Sequence, residues 1–440
     1  MNPELRRNLW LEFSSHRLLA MPAIIVLVAL FLYAASYADG LKSVATVAGY
    51  AFLALVPIWG TRLAAESVTD EARGHTWDLQ RMSSIGPWQM TWGKLAGATA
   101  FVWYGGAICL VLFVLAGTRR VELPVLTIAG VMIAVSVLAH GVALIAGLNT
   151  VRSGLAGRSS GSVITLLFLL AIAWPIGTLV TDSTQAVVWW HGEFFPPRFA
   201  LASTVVFAAW AVFGAHRSMC GELQVRTTPW ALAAFLYFCA VYVAGFTQRP
   251  QAAWPGGPAA IALAGLGVCL LACYLLLFSE RTGAMTLRRL QTRIGRRQWH
   301  RALEELPGWP VALALAVPFA CGASLLAGAN GVGALRELGS APIALVLFAL
   351  RDAALLHFFA FARQPRRVEA VTLVYLVLLY WLVPSLLSAI GAESIGHLVL
   401  PDLFERPGFA TAVVAVQAAV AVTIAAVRWR RNHGVAVSAN

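Results

Sequence analysis

The stretch AESVTDEARGHTWDLQRMSSIGPWQMTWGK, Ala65 to Lys94, is the one long polar interruption in the first half of an otherwise apolar chain. It follows an apolar run from Val44 to Ala64 and precedes another from Leu95 to Ala116, so it should hang between two membrane-spanning helices. Val68, Ala72, Leu79 and Met82 recur at helical spacing and fall on one stripe, while Glu66, Asp70, Glu71, Arg73, Asp78 and Arg81 take the other faces. Asp70 with Arg73, and Asp78 with Arg81, stand three apart and can pair. Gly74 interrupts the helix, and Gly86-Pro87 ends it, because proline lacks the N–H and disfavours helix in the residue before it. One or two short helices and a turn are expected, then Trp88 and Trp92 at interface depth and Lys94 at the lipid headgroups.

Outward from this stretch, the chain of 440 residues is 59% hydrophobic and 12% charged. Apolar runs of about 20 residues recur along it, the length that crosses a hydrocarbon core. The fold class is therefore all-α and polytopic, with about twelve spans: 18–38, 44–64, 95–116, 121–148, 161–181, 199–216, 229–248, 255–279, 309–330, 340–362, 369–391 and 409–427. Of the 32 Lys and Arg, 24 fall on the side that holds the N-terminus, 7 on the other, and Arg351 lies mid-span. By the positive-inside rule both termini are expected in the cytoplasm. The net charge of +12 then reflects topology, and nucleic acid is not expected as a partner. No small-residue cleavage pattern follows the charged first 17 residues, so the first apolar run is read as a permanent span.

Residues 2–17 carry Leu5, Leu9 and Phe13 at spacings of four beside Arg6, Arg7 and Arg17, a pattern that suits an interfacial helix; a solvated terminus is the other reading. A second basic amphipathic segment, Glu280 to Leu306, sets Leu287, Leu290 and Ile294 on one stripe and Arg289, Arg293, Arg296 and Arg297 away from it, facing anionic lipid. Three domains follow: 1–228, 229–279 with two additional spans, and 280–440. The last is a candidate degenerate second half, because Ala344–Phe359 can be laid against Ala54–Thr69 with Arg351 near Arg62; chance likeness of two oily helices is the alternative.

Charge inside spans marks either a functional site or a locking pair. Arg351 and Asp352 stand near the middle of the tenth span with His357 less than two turns on, and His140 lies in the fourth, where a hydrogen bond to a neighbouring helix is the plain reading. The six cysteines lack the spacing of a metal site and read as small core residues. The loop Asp182 to Arg198 holds Trp189, Trp190, His191 and Glu193, an interfacial aromatic belt with weak catalytic signal. There is no zinc-type spacing, no nucleophile elbow and no P-loop: Trp88 stands where that motif needs its first glycine and Leu95 where it needs Ser or Thr.

Glu71, Arg73, Gly74, Thr76, Trp77, Asp78, Leu79, Pro87, Gly93 and Lys94 stand in the order Glu-x-Arg-Gly-x-Thr-x-x-Leu, a Pro eight residues on, then Gly-Lys-Leu at the next span. This resembles the cytoplasmic docking loop of type-2 ABC transporter permeases, and residues 2–17 resemble the elbow helix of that family. The resemblance covers residues 1 to about 228; the family's common form has six spans, and this chain has about six more. It implies a non-catalytic permease subunit of an exporter in a bacterial cytoplasmic membrane. Such a subunit binds no cofactor itself, and ATP and Mg belong to a separate ATPase docked on residues 65–94. A second permease copy or another membrane subunit, and membrane lipid, are the other implied partners. Two readings from other classes stand beside it: an ion-coupled secondary transporter using His140, Arg351, Asp352 and His357, and a membrane enzyme acting on lipid through Asp182, His191 and Glu193.

Overall fold

The computed structural model describes residues 2–36, 39–118, 124–152, 177, 186–248, 257–280, 284–330, 338–362 and 368–433. Among these residues eleven helices are long and apolar enough to cross a membrane. The chain is a polytopic helical membrane protein, and the eleven match eleven of the twelve expected spans. The twelfth, 161–181, lies outside the described residues, apart from Gly177. Large apolar side chains such as Leu19, Phe31, Leu325 and Ile390 are exposed over the whole surface, which an aqueous protein avoids and a lipid-facing one requires.

The chain divides into two compact units, Met1–Val187 with Glu193–Thr227, and Val188–Gly192 with Thr228–Asn440. In the first, α1 (Pro3–Glu12) precedes the spans α2 (Ser15–Ala35) and α3 (Gly40–Arg73). Two short helices follow, α4 (Trp77–Arg81) and α5 (Pro87–Trp92), then the spans α6 (Ala100–Gly117), α7 (Val125–Arg152) and α8 (Pro196–Glu222). The innermost is α7, the most buried of the eleven. It carries small residues where backbones approach: a Cβ on Gly141 would stand 2.9 Å from Ala211 of α8, and one on Gly147 would stand 2.7 Å from the Ala65 carbonyl of α3. Lipid gives apolar helices no reason to associate, so close packing of small residues supplies the contact instead.

In the second unit, α9 (Trp230–Ala244), α10 (Pro258–Ser279), the basic helix α11 (Ala284–Gly295) and the short α12 (Trp299–Glu304) lead to α13 (Gly308–Asn330). Then come α14 (Ala341–Ala360), α15 (Val368–Ala389), α16 (Glu393–Val399) and α17 (Pro407–His433). Ala312, Ala316, Ala320, Ala323 and Ala327 form the buried stripe of α13, and α10 packs along it through Ala260, Leu266 and Cys269. All six cysteines are free.

The structure departs from the sequence reading in several places. The span expected to end at Ala64 runs on to Arg73, through a π turn at Ala54–Trp59. The span expected from Leu95 begins as a π turn, Gly93–Gly97, before α6. Pro87 starts a helix instead of ending one, because the first helical turn needs no N–H from that residue. Not all is helix: β1 (Val187–Trp189) and β2 (Gly192–Phe194) form a hairpin, turned by Trp190 and His191, both at positive φ. The indole Nε1 of Trp189 donates to the Tyr242 carbonyl (3.0 Å), and the Trp190 amide donates to that of Gly245 (3.1 Å). Asp182 lies outside the described residues.

Candidate functional site

Residues 65–94 are not a free loop. Helix α3 ends at Arg73 with Gly74 as its cap, and the reversal falls on His75, at a φ of 57°. The Thr76 hydroxyl donates to the Glu71 carbonyl (3.2 Å), closing the turn before α4. This break splits the expected stripe. Val68 and Trp77 are buried with Met90, Leu95, Leu144, Leu148, Ala215 and Met219, and Ala72 packs against them, whereas Leu79 and Met82 are 67% and 77% exposed. The segment is thus seated on the C-terminal ends of α7 and α8, with two apolar side chains left outside. Arg81 donates from Nε to the Glu222 carbonyl (3.1 Å), and Arg152 from Nε to the Glu222 carboxylate (2.9 Å), so the last turn of α8 is tied to α4 and α7.

Lys94 was expected at the lipid headgroups, yet it is 1% exposed. Its ammonium pairs with Glu71, lies 3.3 Å from Glu4, donates to the Ser67 carbonyl (3.0 Å) and stands 5.6 Å from the centre of the Trp77 ring. Two carboxylates and a carbonyl replace the hydration that a buried cation loses. Glu71, expected to face a partner, is turned inward: it also accepts from Arg7 and from Gln80 Nε2 (2.7 Å). Arg7 lies 3.3 Å from Glu4 as well. Substituting Glu71 therefore disturbs the fold of the segment before it disturbs any docking.

Helix α1 closes this cluster. Its buried face is polar, made of Glu4 and Asn8, while Leu5, Leu9 and Phe13 stay partly exposed. Glu4 packs over Gly93 so closely that a Cβ there would overlap it, and a Cβ on Gly97 would stand 2.8 Å from Asn8. The Asn8 amide donates to the Gly93 carbonyl (3.0 Å), and the Asn2 amide to that of Gln89 (2.6 Å). Glu4, Arg7, Asn8 and Gln80 were missed by the sequence reading. The Gly93-x-x-x-Gly97 spacing, opposite an i,i+4 polar pair, was the available signal.

The remaining charges of the segment sit at its surface. Arg73 pairs with Asp70 (2.8 Å), Arg81 with Asp78 (3.4 Å) and Glu66 with Arg62 (2.8 Å), as helical spacing anticipates. Trp88 stacks on His216 at 4.1 Å and on Trp92 at 6.3 Å.

The intramembrane candidates fall into separate places. In the first unit the Val56 carbonyl, within the π turn of α3, lies 2.9 Å from His140 Nε2, whose ring meets Trp103 edge-on. In the second unit Arg351 and Asp352 are both buried. One Asp352 oxygen accepts from Arg351 Nε (3.0 Å) and faces its Nη2 (2.9 Å), while the other accepts from the Tyr274 and Tyr380 hydroxyls, each at 2.8 Å. Three hydrogen bonds and one close charge contact thus surround the carboxylate. Arg351 also donates to Gln417 Oε1 (2.7 Å) and lies over the Phe348 and Tyr380 rings. The pair locks α10, α14, α15 and α17 together. Its partners Tyr274, Tyr380 and Gln417 had no sequence signal. His357 bonds back to the Ala353 carbonyl of its own helix (2.7 Å), against the Trp309 ring.

Among the described residues no group of three His, Cys, Asp or Glu side chains could hold a metal ion. Comparison with family models, curated proteins and solved structures returns no match.

Proposed function

We propose that this chain is the membrane-spanning permease subunit of an ATP-driven exporter, coupled to a separate ATPase through residues 65–94 on the cytoplasmic side of a bacterial inner membrane. The observation that carries the reading is the division of labour within that segment. Lys94, Glu71, Glu4 and Trp77 are consumed in bracing it against α1, α3 and α7, while Leu79, Met82 and Asp78 are held outward on a one-and-a-half-turn helix. A short helix with apolar anchors, fixed to two spans, suits the groove of a soluble partner. Closure of that partner on ATP then shifts the spans by its differential affinity for the two states. The order of residues from Glu71 to Lys94 supports the same assignment through its resemblance to type-2 ABC permeases. ATP and Mg belong to the partner, and the permease supplies the pathway. Arg351 and Asp352 are structural in this account, since both oxygens of the buried Asp352 are engaged within the fold, by Arg351, Tyr274 and Tyr380.

The test is copurification from the native host in mild detergent, comparing the unaltered chain with a Leu79→Glu/Met82→Glu variant. Both side chains are exposed, so the variant should insert and melt normally. An ATPase bearing a P-loop that accompanies the unaltered chain and is lost from the variant supports the proposal. An ATPase that accompanies both, or neither, refutes the docking role.

A further inference from the structure

A groove of about 440 Å³ opens in the second unit between the ends of α14 and α17, lined by Phe358, Thr423, Ile424, Val427, Arg428 and Arg431 with Asn432. We propose that it holds an anionic phospholipid, its phosphate on Arg428 and Arg431 and an acyl chain along Ile424 and Val427. The inference needs only that the chain spans a membrane and is independent of the ATPase partner.

Three observations carry it. First, the two cations are uncommitted to protein anions: among the described residues no carboxylate pairs with Arg428 or Arg431. The Arg428 guanidinium instead lies 4.2 Å from the centre of the Phe358 ring, which holds its plane while leaving N–H edges for an acceptor. Second, the groove is split by chemistry. Ile424 and Val427 are exposed one turn earlier on the same helix, so a phosphate on the arginines places its glycerol esters and chain on apolar surface. A planar guanidinium binds phosphate in a forked, two-bond geometry that a hydrated point charge lacks. Third, the walls are fixed. The Asn432 amide donates to the Phe361 carbonyl (2.9 Å), Trp429 packs on Phe361 at 4.8 Å, and the Trp429 indole donates to Gln291 of the basic helix α11 (3.3 Å). Basic α11 therefore abuts the same turn and adds to the local positive field. Thr423 donates to the Ala419 carbonyl of its own helix (2.7 Å) and lines the groove without supplying a donor.

The experiment is native mass spectrometry of the full chain, stripped of lipid in neutral detergent and titrated with dioleoyl-phosphatidylglycerol, dioleoyl-phosphatidylcholine or dioleoylglycerol. One phosphatidylglycerol should be retained in preference to the other two lipids. Arg428→Gln/Arg431→Gln should weaken that retention roughly 30-fold, at about fivefold per cation. Arg430→Gln removes a charge from the same turn but lines no part of the groove, and should change it less than twofold. Inorganic phosphate at millimolar concentration should not displace the lipid. Equal retention of phosphatidylcholine, equal loss in Arg430→Gln, or displacement by free phosphate each overturns the proposal. Where the double variant fails to fold, the three-lipid and phosphate comparisons on the unaltered chain still decide.

Discussion

Lys94 and Arg351 are both buried cations beside a carboxylate, one in each unit, and they are satisfied in opposite ways. Arg351 and Asp352 are neighbours in sequence, and their hydrogen-bonding partners Tyr274, Tyr380 and Gln417 come from three other spans, while the Phe348 ring lies one turn back on their own helix. Lys94 draws its carboxylates from Glu4 on α1 and from Glu71 in the last turn of α3. The first arrangement is a closed lock among helices. The second joins α1 to the end of α3, and Arg7, which is partly exposed, shares both of its carboxylates. Hence the lock should fail as a whole when broken, whereas the brace should loosen in steps.

The largest effect is expected from Asp352→Ala, which leaves a buried guanidinium with one neutral partner and orphans two tyrosine hydroxyls. A loss of about 3 to 5 kcal/mol is expected, read as a fall in melting temperature of the detergent-solubilised protein. Arg351→Met combined with Asp352→Asn removes both charges yet keeps an acceptor for the tyrosines, and should recover most of that loss. If the double variant is no more stable than Asp352→Ala, the pair is not the closed lock described.

Lys94→Met should cost less, about 2 to 3 kcal/mol, because Arg7 remains to pair with Glu71 and Glu4. The loss should appear as faster proteolysis within residues 3–12 and 74–86 before the spans melt. Simultaneous loss of the spans would contradict a stepwise brace. Gly93→Ala puts a methyl where Glu4 packs and should lift α1 at a cost of about 1 to 3 kcal/mol; spin labels on α1 and α5 would report the separation. Arg73→Gln breaks an exposed pair with Asp70 and should change stability by less than about 0.5 kcal/mol.

How far each site was legible follows from where its partners lie. The spans announce themselves because lipid demands uninterrupted apolar runs, so their existence was readable while their ends drifted where π turns and Pro57 alter the helix. The i,i+3 pairs Asp70 with Arg73 and Asp78 with Arg81 are local and were read correctly. Lys94 was misplaced because a lysine at a span boundary is equally at home in headgroups or in a carboxylate cage, and the cage residue Glu4 is 90 positions away. Leu79 and Met82 were set on one stripe with Val68 and Ala72 because helical spacing was carried across the interruption at Gly74, whereas the left-handed His75 rotates the second helix out of register. Tyr274, Tyr380 and Gln417 carry no pattern at all, since each meets Asp352 or Arg351 only through tertiary packing.

The central claim is that a braced segment presents Leu79 and Met82 to an ATPase. It is tested most directly by placing a photoreactive phenylalanine at position 79 or 82 of the full-length protein in its native membrane, with Lys94 intact or changed to Met. The account predicts a crosslink to a P-loop ATPase from both positions and its loss in Lys94→Met, where the segment is no longer held. No crosslinked ATPase from either position, or a crosslink of equal yield in Lys94→Met, would contradict it.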